Sequence, residues 1–350
     1  MLMRESDALY FRRASMLLSL IIPIFNEEAV LPLLVERLNT TLAGLDCRTE
    51  IILVDDGSHD RTLSIAREIA AGDERYRVLS FTRNFGHQAA ITAGLDFAAG
   101  DAVVIMDADL QDPPEILAAM LAHYRDGYDV VSAQRVSREG DGIWKRATAS
   151  AFYWIMRKAV DERLAPEVGD FRLLSRGAVG ALRQLREQHR FMRGMIAWLG
   201  LREITVPFKR GPRAAGTTKY PTLKMAAFAW TAITSFSGLP LRLGVLAGVC
   251  MTLVGVLYFF YAAYQALVAN ATVPGWTSLV FLQIFFSGAT LLSIGLLGEY
   301  LARIYDESKR RPLYVVGHMV NVPPDSLAHQ RVIVVQPRAL SEAKHPAGPQ

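Results

Sequence analysis

The chain has little cysteine: two residues, Cys47 and Cys250, among 350. One lies near the start of a strand-like run and the other inside a hydrophobic segment. That pair offers neither a disulfide framework nor zinc-ligand spacing, which points to a reduced, cytosolic main domain. Glycine-rich phosphate loops are missing as well. No G-x-G-x-x-G follows the first strand and no G-x-x-x-x-G-K-[ST] occurs, which argues against a dehydrogenase or a P-loop NTPase. There is no internal repeat, no low-complexity tract and no large charge of one sign; the formal net charge is +4. Residues 243–269 and 276–298 contain no charged side chain at all. The apolar stretch at 16–25 lacks a small-residue cleavage site and is interrupted by Pro23, so it reads as a strand, not a signal peptide.

What is present is alternation. Strand-like runs at 17–25, 50–54, 77–81, 102–106 and 129–133 alternate with helical patterns at 28–42, 61–71, 87–99 and 113–125. Prolines lead the last helix, where a first turn has no N–H partner to lose. This order predicts an α/β domain with a mostly parallel, Rossmann-like sheet covered on both faces. Residues 136–220 are mixed. A helix is expected at 144–159, a strand at 171–175, helices at 177–186 and 191–198, a strand at 203–208 and a basic loop at 209–220.

In such sheets ligands bind beyond the carboxyl ends of the strands. Three polar clusters converge there: Asn26-Glu27-Glu28, Asp55-Asp56-Gly57-Ser58 and Asp107-Ala108-Asp109. Two carboxylates one residue apart, ending a buried strand, suit a hard divalent ion, Mg²⁺ or Mn²⁺. Such an ion commonly bridges carboxylates to substrate phosphates. Gln111 is a neutral oxygen ligand close by. The plainer alternative is a solvated turn with Asp112 capping the helix behind Pro113, and the position after a buried strand favours the metal. Asp55 and Asp56 can accept hydrogen bonds from a base N–H and from ribose hydroxyls. Gly57 permits a tight turn and Asp60 can cap the next helix. Simple capping is the alternative for that cluster. His87 and His189 read as structural histidines.

The two uncharged stretches are each long enough to cross a hydrocarbon core of about 30 Å. Only residues 270–275 separate them, so a helical hairpin is expected. Arg242 precedes it and Arg303, Lys309, Arg310 and Arg311 follow it, which places both flanks in the cytoplasm. Gly244, Gly248, Gly255, Gly288 and Gly295 offer close-approach faces for helix packing. Residues 225–239 carry hydroxyls and small side chains that suit an interfacial helix. The tail beyond Pro323 reads as poorly ordered, apart from a short strand at 332–335.

Several motifs occur in a fixed order: Pro23-Ile-Phe25-Asn26-Glu27, Val54-Asp55-Asp56-Gly57-Ser58, Asn84-Phe85-Gly86 and Asp107-Ala-Asp109-Leu-Gln111-Asp-Pro-Pro-Glu115. Gly169-Asp170-Phe171-Arg172, Arg213-x-x-Gly216-x-x-Lys219-Tyr220 and Gly298-Glu299-Tyr300-Leu-x-Arg303 follow. Over about residues 16–317 the chain resembles family-2 glycosyltransferases of GT-A fold. Within them it resembles polyprenyl-phosphate glycosyltransferases, above all those acting on bactoprenol, with dolichyl-phosphate mannose synthases more distant. The resemblance implies a nucleotide-sugar site at Pro23, Phe25, Asn26, Glu27, Asp55, Asp56, Gly86 and Asp107. It implies Mg²⁺ or Mn²⁺ on Asp107, Asp109 and Gln111. Asp109, Asp170 and Arg213 are the catalytic candidates, with Asp170 near the sugar and the acceptor. One departure is Gly216-Thr217-Thr218-Lys219, where many relatives have Gly-Glu-Ser-Lys; the lysine stays and the acid is lost.

The implied reaction moves a hexose, glucose by resemblance, from a UDP-sugar to a polyprenyl phosphate with inversion. Arg135, Arg138, Arg210, Arg213 and Lys219 are the cations for the acceptor phosphate. Membrane lipids are expected partners and nucleic acid is not; the resemblance favours a homo-oligomer, a tetramer. The expected partition is an N-terminal segment 1–15, a catalytic domain 16–220, an interfacial helix 221–240, a transmembrane hairpin 241–300 and a cytoplasmic tail 301–350. A processive polysaccharide synthase is the first rival, and it lacks support because no Gln-x-x-Arg-Trp occurs and two spans make a poor pore. The second is a non-catalytic, membrane-tethered scaffold, against which the retained acidic clusters argue.

Overall fold

The computed structural model of the protein describes residues 16–136, 168–209, 234, 238–268, 275–323 and 333–334. They fall into two compact units. Residues 16–136, 168–209, 312–323 and 333–334 belong to the first, and 234, 238–268 and 275–311 to the second.

The first unit is built on one sheet. Its strands are β1 (Leu17–Ile24), β2 (Arg48–Asp55), β3 (Tyr76–Phe81), β4 (Ala102–Ile105), β5 (Val130–Arg135), β6 (Val168–Ser175), β7 (Glu203–Phe208), β8 (Val315–Val320) and β9 (Ile333–Val334). The order across it is β7-β5-β6-β4-β1-β2-β3-β8-β9. The central strands β4, β1, β2 and β3 run parallel, as near-continuous apolar runs buried on both faces should. Helices α1 (Leu31–Ala43), α2 (Thr62–Gly72), α3 (His87–Phe97), α4 (Leu117–Arg125), α5 (Arg176–Gln184) and α6 (Met192–Leu199) complete the unit. In α1 the buried residues are Leu31, Leu34, Leu38 and Leu42, the three-and-four spacing of one helical face.

Two features depart from the sequence reading. β6 lies antiparallel between β4 and β5, and β8 pairs antiparallel with β3. The helix expected at 113–125 opens as a 3₁₀ turn, Pro114–Ile116, before α4. The expected helix at 144–159 lies outside the described residues, as do residues 210–220 of the basic loop expected at 209–220 and all but 234, 238 and 239 of the interfacial helix expected at 225–239.

Helix α3 positions the site. All its residues from Ala90 to Phe97 are buried, and it packs on β1 and β2. Gly94 allows this close approach, because a Cβ there would fall 2.1 Å from Cγ2 of the buried Ile21. The far end of α3 is held by the segment leading into β8, to which the sequence pattern assigns no element. The Tyr314 hydroxyl donates to Asp96 Oδ2 at 2.7 Å, and Arg186 donates to both oxygens of that carboxylate at 2.8 and 2.9 Å. The Tyr314 ring stacks on Phe81 with centroids 5.2 Å apart. Burial and the Asp96 charge push the phenol pKa up, so it stays a donor. Tyr314→Phe is expected to cost about 2 kcal/mol, lowering the thermal midpoint by roughly 4–8 °C. An unchanged midpoint would show this bond to be idle.

The second unit contains α7 (Leu239–Leu267) and α8 (Trp276–Ser308). Both include segments long and apolar enough to cross a membrane, Pro240–Tyr261 and Phe281–Ser308. Helix α8 continues past the uncharged run, and Arg303 pairs with Glu299 at 3.1 Å one turn back. Of the expected close-approach glycines only two meet the partner helix. A Cβ on Gly244 would lie 3.6 Å from Leu296, and one on Gly255 would lie 3.4 Å from Phe286. Gly248, Gly288 and Gly295 have nothing within 4 Å among the described residues, because the contacting stripe of each helix covers only part of its circumference.

Candidate active site

Register brings the polar clusters to one edge. Ile24 sits opposite Asp55 in the β1–β2 ladder, and the Met106 N–H donates to Ile21 O, so β1, β2 and β4 end side by side. The turns that follow are stitched together. The Asn26 N–H donates to Ser58 Oγ at 3.0 Å, the His59 N–H to Asn26 Oδ1 at 2.9 Å, and the Glu27 N–H to Thr62 Oγ1 at 2.8 Å. Asn26 has φ 55°, a conformation its short polar side chain tolerates. Pro23 is buried in β1. Phe25 is 39% exposed, with the His59 ring edge-on at 6.3 Å. Asp60 is not the cap the sequence offers: the N-cap of α2 is Arg61, and Asp60, one residue earlier, accepts from the Thr62 N–H at 3.0 Å and orders the turn.

Asp55 and Asp56 are 1% and 4% exposed. Asp55 accepts from the Ser58 N–H at 3.1 Å and the Ser80 hydroxyl at 2.8 Å. Asp56 accepts from the Phe85 N–H at 2.7 Å and from the Gly86 N–H at 3.1 and 2.9 Å. Burial raises the Asp56 pKa against the pull of those backbone donors. These bonds brace the surrounding turns: Asp56 fixes Phe85-Gly86, the entry to α3.

The acids after β4 are more open. Ala108 is buried in the core, while Asp107 and Asp109 on either side are half-buried, so both carboxylates reach the edge. Asp109 Oδ1 accepts from the Gln111 N–H at 3.1 Å across Leu110, which is held at φ 59°. A non-glycine residue in that region stores strain of about 1–2 kcal/mol, a common feature of functional turns. The Gln111 side chain is mostly buried. Asp112 is not the helix cap the sequence suggests. It is 1% exposed, and its Oδ2 accepts from the Asp107 N–H at 3.2 Å, closing the loop. Burial, with the Asp107 charge adding, raises its pKa to about 7. Burial raises the Asp107 pKa too, and Asp170 and Asp109 add to this against the opposing pull of His87. Among the described residues no three His, Cys, Asp or Glu side chains gather closely enough to hold an ion alone. Two accessible carboxylates fit Mg²⁺ or Mn²⁺, which complete their shells with water and substrate oxygens.

The antiparallel β6 adds what the strand-end rule does not supply. Asp170 reaches the same edge, and Arg193 from the first turn of α6 donates to its Oδ1 at 2.9 Å. His87, the first residue of α3, stands between the acids: its Nε2 is 3.6 Å from Asp107 Oδ1 and 3.6 Å from Asp170 Oδ2. Burial works against a charged His87, but the Asp170 hydrogen bond and both carboxylate charges outweigh it and raise its pKa. Burial also opposes the Asp170 charge, yet Arg193 and His87 hold that carboxyl well below the usual range. His87, which the sequence marks as structural, stands between two of the candidate acids. Its place directly after Gly86, beyond the carboxyl end of β3, was the available signal; nothing local marks Arg193.

Arg135 ends β5 beside Gly169, where a Cβ would lie 3.0 Å from its Nη2. Its buried Nε has no hydrogen-bond partner among the described residues, and its charge acts on Asp107 and Asp112. Arg172 is buried and donates to the Gly169 carbonyl at 2.8 Å. Arg138, Arg210, Arg213 and Lys219 lie outside the described residues.

A family model described as "Glycosyl transferase family 2" matches residues 19–183. The uncharacterized glycosyltransferase YkcC of Bacillus subtilis (strain 168) is 43% identical over 298 residues, 85% of this chain and 92% of that one. The bactoprenol glucosyl transferase of Shigella phage SfV is 40% identical over 301 residues, 86% of this chain and 98% of that one. Among solved structures, glucosyl-3-phosphoglycerate synthase from Mycobacterium tuberculosis in complex with Mn²⁺, UDP and glucosyl-3-phosphoglycerate is similar, with a TM-score of 0.46. It is 22% identical, and the match covers 67% of this chain and 84% of that chain.

Proposed function

The chain belongs to glycosyl transferase family 2, and on that premise we propose that it moves glucose from UDP-glucose to a polyprenyl phosphate at the cytoplasmic face of a membrane. The observation that carries this reading is the pair of open carboxylates, Asp107 and Asp109, in a chain that also holds two long, apolar helices. The lipid acceptor follows from the bactoprenol relative, whose length this chain matches almost throughout.

The acceptor phosphate attacks the anomeric carbon as the bond from that carbon to the diphosphate breaks, and UDP leaves with the electron pair. In-line displacement inverts the centre. A phosphomonoester has a second pKa of about 6, so the acceptor is largely a dianion at neutral pH and needs no strong base. Asp107, Asp109 and Gln111 would hold Mg²⁺ or Mn²⁺, which supplies charge neutralisation for the departing diphosphate. The exposed ring of Phe25 offers a flat face to the nucleobase, and the Arg135 guanidinium suits a phosphate oxygen pair. The basic residues flanking the hairpin, Arg242 and Lys309 to Arg311, support a cytoplasmic orientation. Association of copies through the helices belongs to the same reading and is tested by cross-linking in native membranes.

The test is a membrane assay with labelled UDP-glucose and undecaprenyl phosphate. A chloroform-soluble, acid-labile glucolipid is expected. An aqueous polymer, or no product with any of a panel of UDP-sugars, overturns the reading.

A further inference from the structure

Side chains from two helices face the Asp170 carboxylate: Arg193 Nε donates to Oδ1 at 2.9 Å, and Gln88 Nε2 at 3.5 Å and His87 Nε2 at 3.6 Å stand beside Oδ2. Gln88 also accepts from the Met192 N–H at 2.9 Å, so one amide ties the first turn of α3 to the first turn of α6. The Asp170 side chain is 11% exposed, whereas that of His87 is 43% exposed. A solute entering the site thus meets the imidazole more readily than the carboxylate. The other contact of the imidazole is Asp107, at the edge where the diphosphate belongs.

We propose that Asp170 is the hub of a positioning network and not a proton acceptor: with Arg193 and Gln88 it fixes His87 beside Asp107, where the nucleoside diphosphate binds. The argument rests on the donor reading above and deepens it. A general base needs a free lone pair aimed at the proton it takes and works best with a pKa near the working pH. Asp170 fits this role poorly, since Arg193 occupies Oδ1, Gln88 and His87 crowd Oδ2, and the side chain is only 11% exposed. A phosphate dianion also brings no proton that must be removed. What a carboxylate enclosed by three side chains does well is hold its partners still, and a displacement of about 1 Å in a site can cost roughly a hundredfold in rate.

The measurement is UDP affinity by titration calorimetry with Mg²⁺ on the full-length protein. It needs neither the acceptor nor the bond that breaks. Asp170→Asn and Arg193→Gln are each expected to weaken UDP binding about tenfold. The double variant should be no weaker than either single one, because residues in one network are not additive. Arg193→Lys keeps the ion pair and should return the affinity to within about threefold of wild type, which separates positioning from loss of fold. Turnover measured in parallel should fall about a hundredfold in both single variants. Wild-type UDP affinity in Asp170→Asn with lost turnover overturns the proposal and makes Asp170 a base. So does near-normal turnover in Arg193→Gln, or a failure of lysine to rescue. If the wild type binds UDP but glucosylates no undecaprenyl phosphate, the acceptor reading fails while the UDP titrations still judge the network.

Discussion

Asp109→Ala is expected to abolish transfer, with a fall of at least about a thousandfold. Charge neutralisation by a bound divalent ion is worth several kcal/mol in the transition state, and about 4 kcal/mol is a thousandfold. The Asp109 carboxylate has a second duty, since its Oδ1 accepts from the Gln111 N–H at 3.1 Å and holds the strained Leu110 turn. Asp109→Asn separates the two. The amide oxygen can still accept from Gln111 but brings no charge, so folding should persist while transfer falls at least about a hundredfold. The same variants should lose any gain in UDP affinity that Mg²⁺ or Mn²⁺ gives the wild type, read by calorimetry. Wild-type turnover in Asp109→Ala would remove Asp109 from the ion site.

Gly57→Ala is expected to be the most damaging single methyl in the site. Gly57 has φ +72°, where an L side chain costs about 1–2 kcal/mol. Space is the larger obstacle. The new Cβ would stand 2.5 Å from the Arg83 carbonyl carbon and 2.8 Å from the Asn84 nitrogen, and backbone cannot rotate aside as a side chain can. Either the turn after Asp56 or the strand exit at Arg83-Asn84 must move. Both lead to the braces on Phe85 and Gly86 that deliver His87 to the site. A loss of about 3 kcal/mol in stability is expected, as in other overpacked sites. Activity should fall further than the unfolded fraction accounts for. Thermal unfolding and transfer, measured on one preparation, test this; a midpoint and turnover like those of wild type would show the loop to be pliant.

Much of the architecture was legible because it is written in neighbouring residues. The apolar runs that become β1, β2 and β4 are buried on both faces, and their composition alone says so. The uncharged stretches fall within α7 and α8, both of which include segments long and apolar enough to cross a membrane. The edge position of Asp107 and Asp109 followed from the same rule, since a strand must end before its acids can be hydrated. The family resemblance singled out Asp170, yet its local sequence does not reveal its partners. β8 was missed because a six-residue run broken by Gly317 has no identity until the β3 edge pairs with it.

The acids at Asp55 and Asp56 show the limit from the other side. Their strand-end position is plain in the sequence, and so is their charge. Their burial is not, because it comes from Ser80, Phe85 and Gly86, some 25–30 residues away.

Local composition and periodicity dictated the alternation of strands and helices, the edge at which the acids gather and the two apolar helices. Each depends on periodicity and burial within one short segment. Tertiary structure alone decided that His87 bridges Asp107 and Asp170, that Arg193 and Gln88 secure that bridge, and that Tyr314 clamps the far end of α3. These contacts join residues 82 and 218 positions apart, as in Gln88–Asp170 and Tyr314–Asp96. Hydrogen bonds and ion pairs act only over a few ångströms, so a partner that distant is chosen by the packing of the sheet and not by any local preference of the chain.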